Sequence, residues 1–308
     1  MISEFVAGTE AGANEAGEIL HDAGELKHVC CASGDGFAQE SVNRTEILDF
    51  GNEGFLLHGL FTPQDCRHYI DKGEEVGFEP LIGVKEEYRS CHRVSFRSQE
   101  LAELLWARLE PFLSNIVING DPKQQHVQGI DFLLQGTWQP LGLNPVFRLC
   151  RYLPGGHFSP HFDGHFSSST DQRSLQTLML YLNGDFSGGS TNFVDEKQVL
   201  YKDENGKFCA EEKNVLYRIQ PEPGMAIVFN HHRLHEGEKL GDGRKYILRT
   251  DIMFRNASPS ACSEADQKAL LMVQDAERKE ACGECMEAAE LYRKAFKLSP
   301  SLAKAYGN

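Results

Sequence analysis

The spacing of apolar residues changes along this 308-residue chain, and each change marks a different kind of element. Residues 1 to about 45 are rich in Gly, Ala, Glu and Ser with few large apolar side chains. Such a segment cannot bury enough surface to offset its chain entropy, so 1–45 reads as a disordered tail. From Phe55 the run GFLLHGLF suits a short strand. Thr62-Pro63-Gln64-Asp65 then supplies an N-cap, a proline at the first helical position and an early acid, which predicts a helix to about Glu75. Ser98 caps a second amphipathic segment, QELAELLWARLEPFL, in which Leu101, Leu104, Leu105, Leu109 and Leu113 recur at helical spacing. The region 46–143 thus reads as helical and strand support.

Between Asn144 and Asn256 the period shortens. Runs such as VFRLCRYL, LQTLMLYLN, NVLYRIQ, GMAIVFN and YILRTDIMF are separated by Gly, Pro, Asn and Asp clusters, which predicts a stack of strands over 144–257, a barrel or a sandwich. After Pro259 the helical period returns, and 262–308 reads as a helical hairpin joined near Gly283. The fold class expected is mainly β with flanking helices.

Composition narrows the setting. No stretch approaches the roughly 20 apolar residues that a bilayer-spanning helix needs, and the start, MISEFVAGTEAGANEAGE, lacks the basic and apolar regions of a signal peptide; the expected address is cytosol or nucleus. Nine cysteines, most of them isolated, do not form a secreted disulfide framework and are expected as thiols; Cys30-Cys31 and the Cys282–Cys285 pair are read as incidental. A net charge of -14, from 45 acidic against 31 basic residues, disfavours nucleic acid as a substrate.

One constellation carries chemistry. His161-Phe162-Asp163 lies in RYLPGGHFSPHFDGHF, a strand leading into a turn at Gly164. Strand residues two apart face the same side, so an imidazole and a carboxylate point together, and a single distant histidine would complete a set of three. Two histidines and a carboxylate suit ferrous iron because they leave coordination positions open for a bidentate co-substrate and O2. Alone, an H-x-D is weak evidence, and its bland reading is a polar surface turn.

The surrounding blocks change that weighting. Arg148-x-x-x-Tyr152-x-Pro154-Gly155, then His161-x-Asp163, TLMLYLN ending at Asn183, SGGSTNF from Ser187 to Phe193, PEPGMAIVFNH from Pro221 to His231, and His235 followed by GDGRKYILRTDIMF resemble the prolyl 4-hydroxylase-like branch of the iron(II)/2-oxoglutarate dioxygenases, in order and spacing. The resemblance implies a double-stranded β-helix, or jelly-roll, barrel, with His161 and Asp163 on the second barrel strand and its exit and His235 near the end of the seventh. It implies Fe(II) held by His161, Asp163 and His235, with 2-oxoglutarate and O2 as co-substrates, succinate as co-product and ascorbate as reductant. Tyr152 and Tyr181 match tyrosines that bond 2-oxoglutarate in related prolyl hydroxylases, and Thr191 is placed in the same pocket. For each tyrosine the plain alternative is a core aromatic with a satisfied hydroxyl. The far carboxylate of 2-oxoglutarate needs a buried cation, for which Lys245 and Arg249 are both candidates, Arg249 slightly favoured as the deeper.

Other features are absorbed by structure. His157, His165, His231 and His232 read as ancillary or surface groups, because no helix is expected at 231–235 to bring two imidazoles onto one metal. Gly188-Gly189 reads as a turn with close backbone approach, without the Lys-Ser/Thr of a phosphate loop. Gly283, Ala288, Tyr292, Ala295 and Pro300 fall at the spacing of half a tetratricopeptide repeat, and a single repeat must pack on the barrel or on a protein partner. Three readings stay open: a dioxygenase acting on a protein side chain, foremost a prolyl residue; a small-molecule or nucleic-acid hydroxylase on the same barrel; and a non-catalytic scaffold recruiting partners through the hairpin.

Overall fold

The computed structural model describes residues 20–22, 41–81, 84–119, 134–169, 171–197, 201–257, 264–281 and 285–305. Eight strands make the barrel: β1 (Val146–Tyr152), β2 (His157–His161), β3 (Gln172–Tyr181), β4 (Thr191–Val194), β5 (Val215–Ile219), β6 (Ala226–Asn230), β7 (His235–Gly237) and β8 (Lys245–Asn256). Strands β1, β8, β3 and β6 lie side by side in one sheet, while β5, β4, β7 and β2 form the other. Every pairing within these two sets is antiparallel. The chain alternates between the sheets except at β4 and β5, the winding of a jelly roll.

The larger sheet is extended by His92–Arg97 beside β1 and by Gly54–His58 beside β6. Helix α1 (Pro63–Val76) begins at a complete capping box: the Thr62 hydroxyl accepts from Asp65 N while the Asp65 carboxylate accepts from Thr62 N. Helix α2 (Gln99–Leu109) starts at Ser98, whose hydroxyl accepts from Leu101 N. It stops at Leu109 and passes into a 3-10 turn over Glu110–Phe112, short of the apolar run to Leu113. Pro111 has no N–H to continue the α ladder.

The strand period explains where the core sits. Successive residues face opposite sides of a sheet, and both faces of β3 and β8 are covered. Leu178, Leu180 and Leu248 join Tyr69, Leu101 and Leu105 in one cluster between the sheet and the two helices. Met179, Tyr181 and Ile247 face the other way and join Phe193, Ile227 and Phe229 inside the barrel. A sheet buried on both faces reads as unbroken apolar runs, which is what LQTLMLYL and YILRTDIMF are.

Helices α3 (Glu264–Ala281), α4 (Cys285–Leu298) and α5 (Pro300–Ala305) follow β8, with a small core of their own around Ala269, Val273, Ala295 and Leu302. The turn at Gly283 and Cys282 lie outside the described residues, as do Cys30 and Cys31. Of the tail expected over 1–45, residues 1–19 and 23–40 also lie outside them. The remainder departs from that expectation: Leu20–Asp22 pairs in parallel with His92–Arg97, and Asn43–Glu46 pairs with Gly54–His58. Backbone hydrogen bonding to an open sheet edge orders even a polar segment such as NRTE.

Candidate active site

His161 is the last residue of β2, Asp163 follows it at the strand exit, and His235 opens β7 rather than closing it. Strands β2 and β7 are neighbours, and His161 stands directly across from His235 in the register. One donor atom from each of His161, Asp163 and His235 lies within 4.8 Å of the others. His161 Nε2 is 3.5 Å from Asp163 Oδ1, and His235 Nε2 is 3.8 Å from Asp163 Oδ2.

The other ring nitrogens set the tautomers. His161 Nδ1 lies 2.7 Å from the Ser159 carbonyl and His235 Nδ1 2.9 Å from that of Arg233. A carbonyl only accepts, so each Nδ1 carries a proton and each Nε2 is the nitrogen turned toward the carboxylate. Burial, then the neighbouring His161, pulls the His235 pKa down to about 3, which keeps its ring neutral. Burial acts to raise Asp163, but Arg249, His235 and His161 outweigh it and hold the carboxyl well below its usual range. Two imidazoles and one carboxylate, converging at short range, fit a divalent cation such as iron(II).

Behind Asp163 runs a hydrogen-bonded chain that sequence reasoning did not pick out. Phe166 N donates to Ser174 Oγ, 2.8 Å, and the Ser174 hydroxyl lies 2.8 Å from His231 Nε2. His231 Nδ1 is 3.0 Å from Thr177 Oγ1, whose hydroxyl donates to Asp163 Oδ2 at 2.7 Å. Burial drives the His231 pKa to about 4, so the ring is neutral and the chain runs in one direction, from Phe166 N to the carboxylate. His157 is occupied differently, with Nε2 3.1 Å from the Glu87 carbonyl.

One pocket is lined by the triad together with Tyr152, Thr191, Lys245 and Arg249, and also by Arg89, Arg148 and Phe158. Lys245 is buried and donates to the Gly189 carbonyl at 2.6 Å, with the rings of Tyr152 and Tyr181 at 5.5 and 5.7 Å. Burial lowers its pKa to about 8. Gly188 and Gly189 both have positive φ, and a Cβ on Gly189 would stand 2.8 Å from Leu240 Cδ1, so the turn needs glycine there. The Tyr181 hydroxyl is buried beside Thr191 and makes no well-formed hydrogen bond among the described residues. Arg249 lies elsewhere in the pocket, with Nη2 3.1 Å from Asp163 Oδ1 and 3.8 Å from Asp251 Oδ1. The slight preference for Arg249 as partner of a far carboxylate therefore runs against the geometry, because that guanidinium is engaged by the triad's own aspartate. Arg148, which sequence reasoning did not single out as a site residue, also lines the pocket, and it shares a strand face with Cys150 and Tyr152 at a period of two.

Residues 147–250 match the family model described as the 2OG-Fe(II) oxygenase superfamily. A protein of Acanthamoeba polyphaga mimivirus assigned as a prolyl 4-hydroxylase is 22% identical over 238 residues, 70% of this chain and 80% of the relative. Among solved structures, the viral collagen prolyl hydroxylase of Paramecium Bursaria Chlorella virus-1 is 18% identical at a TM-score of 0.39, over 66% of this chain and 97% of that one. A prolyl-4-hydroxylase of Pseudomonas putida is 15% identical at a TM-score of 0.40, over 67% of this chain and 93% of that one. Residues 147–250 of this chain thus match the 2OG-Fe(II) oxygenase superfamily, and over a longer span the chain is similar to a viral protein assigned as a prolyl 4-hydroxylase.

Proposed function

We propose that this dioxygenase hydroxylates a prolyl side chain of a protein, converting 2-oxoglutarate to succinate and CO2, with iron(II) held by His161, Asp163 and His235. The observation that carries the reading is the convergence of those three side chains in one pocket with Lys245 and Tyr152, the Tyr181 ring lying 5.7 Å from the lysine. The name of the mimivirus relative supports a prolyl substrate.

Iron at this triad would supply the activation of O2, with 2-oxoglutarate as the source of two electrons. The chain's own groups do the rest. The Ser159 and Arg233 carbonyls orient the two imidazoles, and Thr177 holds one carboxylate oxygen of Asp163 in place. Lys245 takes the far carboxylate of 2-oxoglutarate as a point charge, with Tyr152, Tyr181 and Thr191 around it. Arg249 neutralises and aims Asp163. Phe158, Met179, Phe229 and Ile247 keep water away from the reacting groups. Ascorbate serves as reductant for the iron. Cys66, Cys91, Cys150 and Cys209 are free thiols, which supports a cytosolic or nuclear setting.

The test is succinate formation by protein purified without oxygen and supplied with iron(II), 2-oxoglutarate, ascorbate and O2, with and without proline-containing peptides. Turnover is expected to rise with peptide and to vanish in His161→Ala and Asp163→Ala proteins that keep their circular dichroism. Normal turnover by either variant overturns the triad assignment.

A further inference from the structure

Lining the pocket are four cationic side chains, Arg89, Arg148, Lys245 and Arg249, against two carboxylates, Asp163 and Glu236. Most of them are engaged. Arg249 is paired with Asp163 and Asp251, and Lys245 donates to Gly189. The Arg89 guanidinium lies over the Phe158 ring at 4.2 Å. Glu236 accepts from Asn192 Nδ2 and from Ala210 N.

Arg148 is different. It is 6% exposed, its Nε is buried without a partner, and its guanidinium makes no hydrogen bond or ion pair among the described residues. In the sheet its register neighbours are Arg249 on β8 and Ser95 on the other side. Directly opposed like charges destabilise a pair of strands. Guanidinium does not deprotonate in proteins, so Arg148 cannot escape the cost of burial by losing its charge, as a lysine can. A buried, unpaired charge costs free energy that only a counter-charge or a full set of hydrogen bonds offsets. Arg249 has its counter-charges inside the fold, while Arg148 has none among the described residues and faces the pocket.

We propose that Arg148 is a specificity-determining residue that binds a carboxylate of the substrate, so that the group hydroxylated lies beside an acid. This rests on the pocket being the oxygenase site proposed above, and it narrows the substrate class. The carboxylate comes either from an acidic residue next to the target proline in a peptide or from the α-carboxylate of a small amino-acid-like molecule. Guanidinium and carboxylate match as a two-pronged fork, which a neutral amide of the same shape does not reproduce. Removing the charge from one partner of a desolvated pair leaves the other buried and unpaired, so the site rejects the amide analogue strongly.

The experiment compares two pairs of probes with the iron- and 2-oxoglutarate-loaded protein: Glu-Pro against Gln-Pro in otherwise identical peptides, and L-proline against L-prolinamide. Substrate-dependent succinate is the readout. The wild-type protein should favour the acid in one pair by on the order of tenfold or more in kcat/KM, and the pair concerned tells which source of carboxylate is meant. In Arg148→Gln that ratio should fall toward one, and Arg148→Lys should keep part of it. The wild-type ratio needs no variant, so it decides even if a substitution impairs folding. Equal rates within both pairs, or turnover of neither, overturn the proposal. So does an Arg148→Gln protein whose main defect is weaker 2-oxoglutarate binding, which would assign the residue to the co-substrate. Calorimetry of 2-oxoglutarate binding to the manganese-loaded wild type separates the two levels of inference. Binding without acid preference defeats only the role of Arg148, whereas absence of binding defeats the oxygenase site itself.

Discussion

At the scale of single residues, the charges of the pocket have different partners, and substitution can separate the tasks proposed for them. Lys245→Ala is expected to weaken 2-oxoglutarate binding by tenfold or more, on the order of a lost charge-assisted contact. Arg249→Ala should act first on the metal, because it frees the carboxylate of Asp163 from its partner. Calorimetry with each variant, metal first and 2-oxoglutarate second, distinguishes the two; equal losses of 2-oxoglutarate affinity would put both cations on the co-substrate. Lys245 also predicts a pH dependence. Its pKa in the folded protein is about 8 against an ordinary 10.5, chiefly through burial. Affinity for the dianionic co-substrate should stay flat below about pH 8 and fall above it, by up to about tenfold per pH unit. The effect on folding has the opposite sign. Between the two values the unfolded chain binds more protons, so this residue's contribution to stability rises with pH across that window. An affinity for 2-oxoglutarate that is level from pH 7 to 9.5 would contradict the assignment.

Strand β3 shows how one element serves structure and chemistry at once. Its residues alternate, with Leu178 and Leu180 toward the helices and Thr177, Met179 and Tyr181 toward the barrel side. Leu178 is fully buried under α1 and α2, and Leu178→Ala should cost about 3 kcal/mol, read as a shift in the urea midpoint. One residue earlier, Thr177→Val keeps the shape but removes the hydroxyl between His231 and Asp163. Stability should change little by comparison, while metal affinity falls by roughly tenfold, the usual cost of losing a partner of a ligand. Unchanged affinity in a metal titration of this variant would show that the chain of hydrogen bonds does not hold the carboxylate. Adjacent positions on one strand thus give opposite phenotypes because a step of one residue crosses the sheet.

Over the whole molecule, the barrel and the C-terminal helices have separate cores. The helices pack Ala269, Val273, Ala295 and Leu302 together, apart from the two clusters of the barrel. Ala295→Asp should therefore melt the helices without disturbing the site: helical circular dichroism falls while manganese-dependent 2-oxoglutarate binding persists. Loss of binding would show that the helices brace the barrel. Charge also differs between levels, since a chain of net charge -14 places four cationic side chains around one pocket. Among the described residues no helix is long and apolar enough to cross a membrane.

Much of this was legible along the chain because it depends on neighbours in sequence. The capping box at Thr62 and Asp65, the cap at Ser98 and the two-sided apolar runs of β3 and β8 are local patterns, and secondary structure answers to local patterns. His161 and Asp163 were legible together for the same reason, two residues apart at the end of a strand. Their partner His235 was legible only through the resemblance and not from spacing, since it reaches them through the pairing of β2 with β7. Nor could spacing decide between Lys245 and Arg249, which share a strand face; their surroundings differ in the fold, with the turn at Gly189 beside one and Asp163 beside the other. The unpaired state of Arg148 is likewise a fact of three dimensions. Whether a buried charge has a counter-charge depends on every element that packs around it, and no stretch of sequence contains them all.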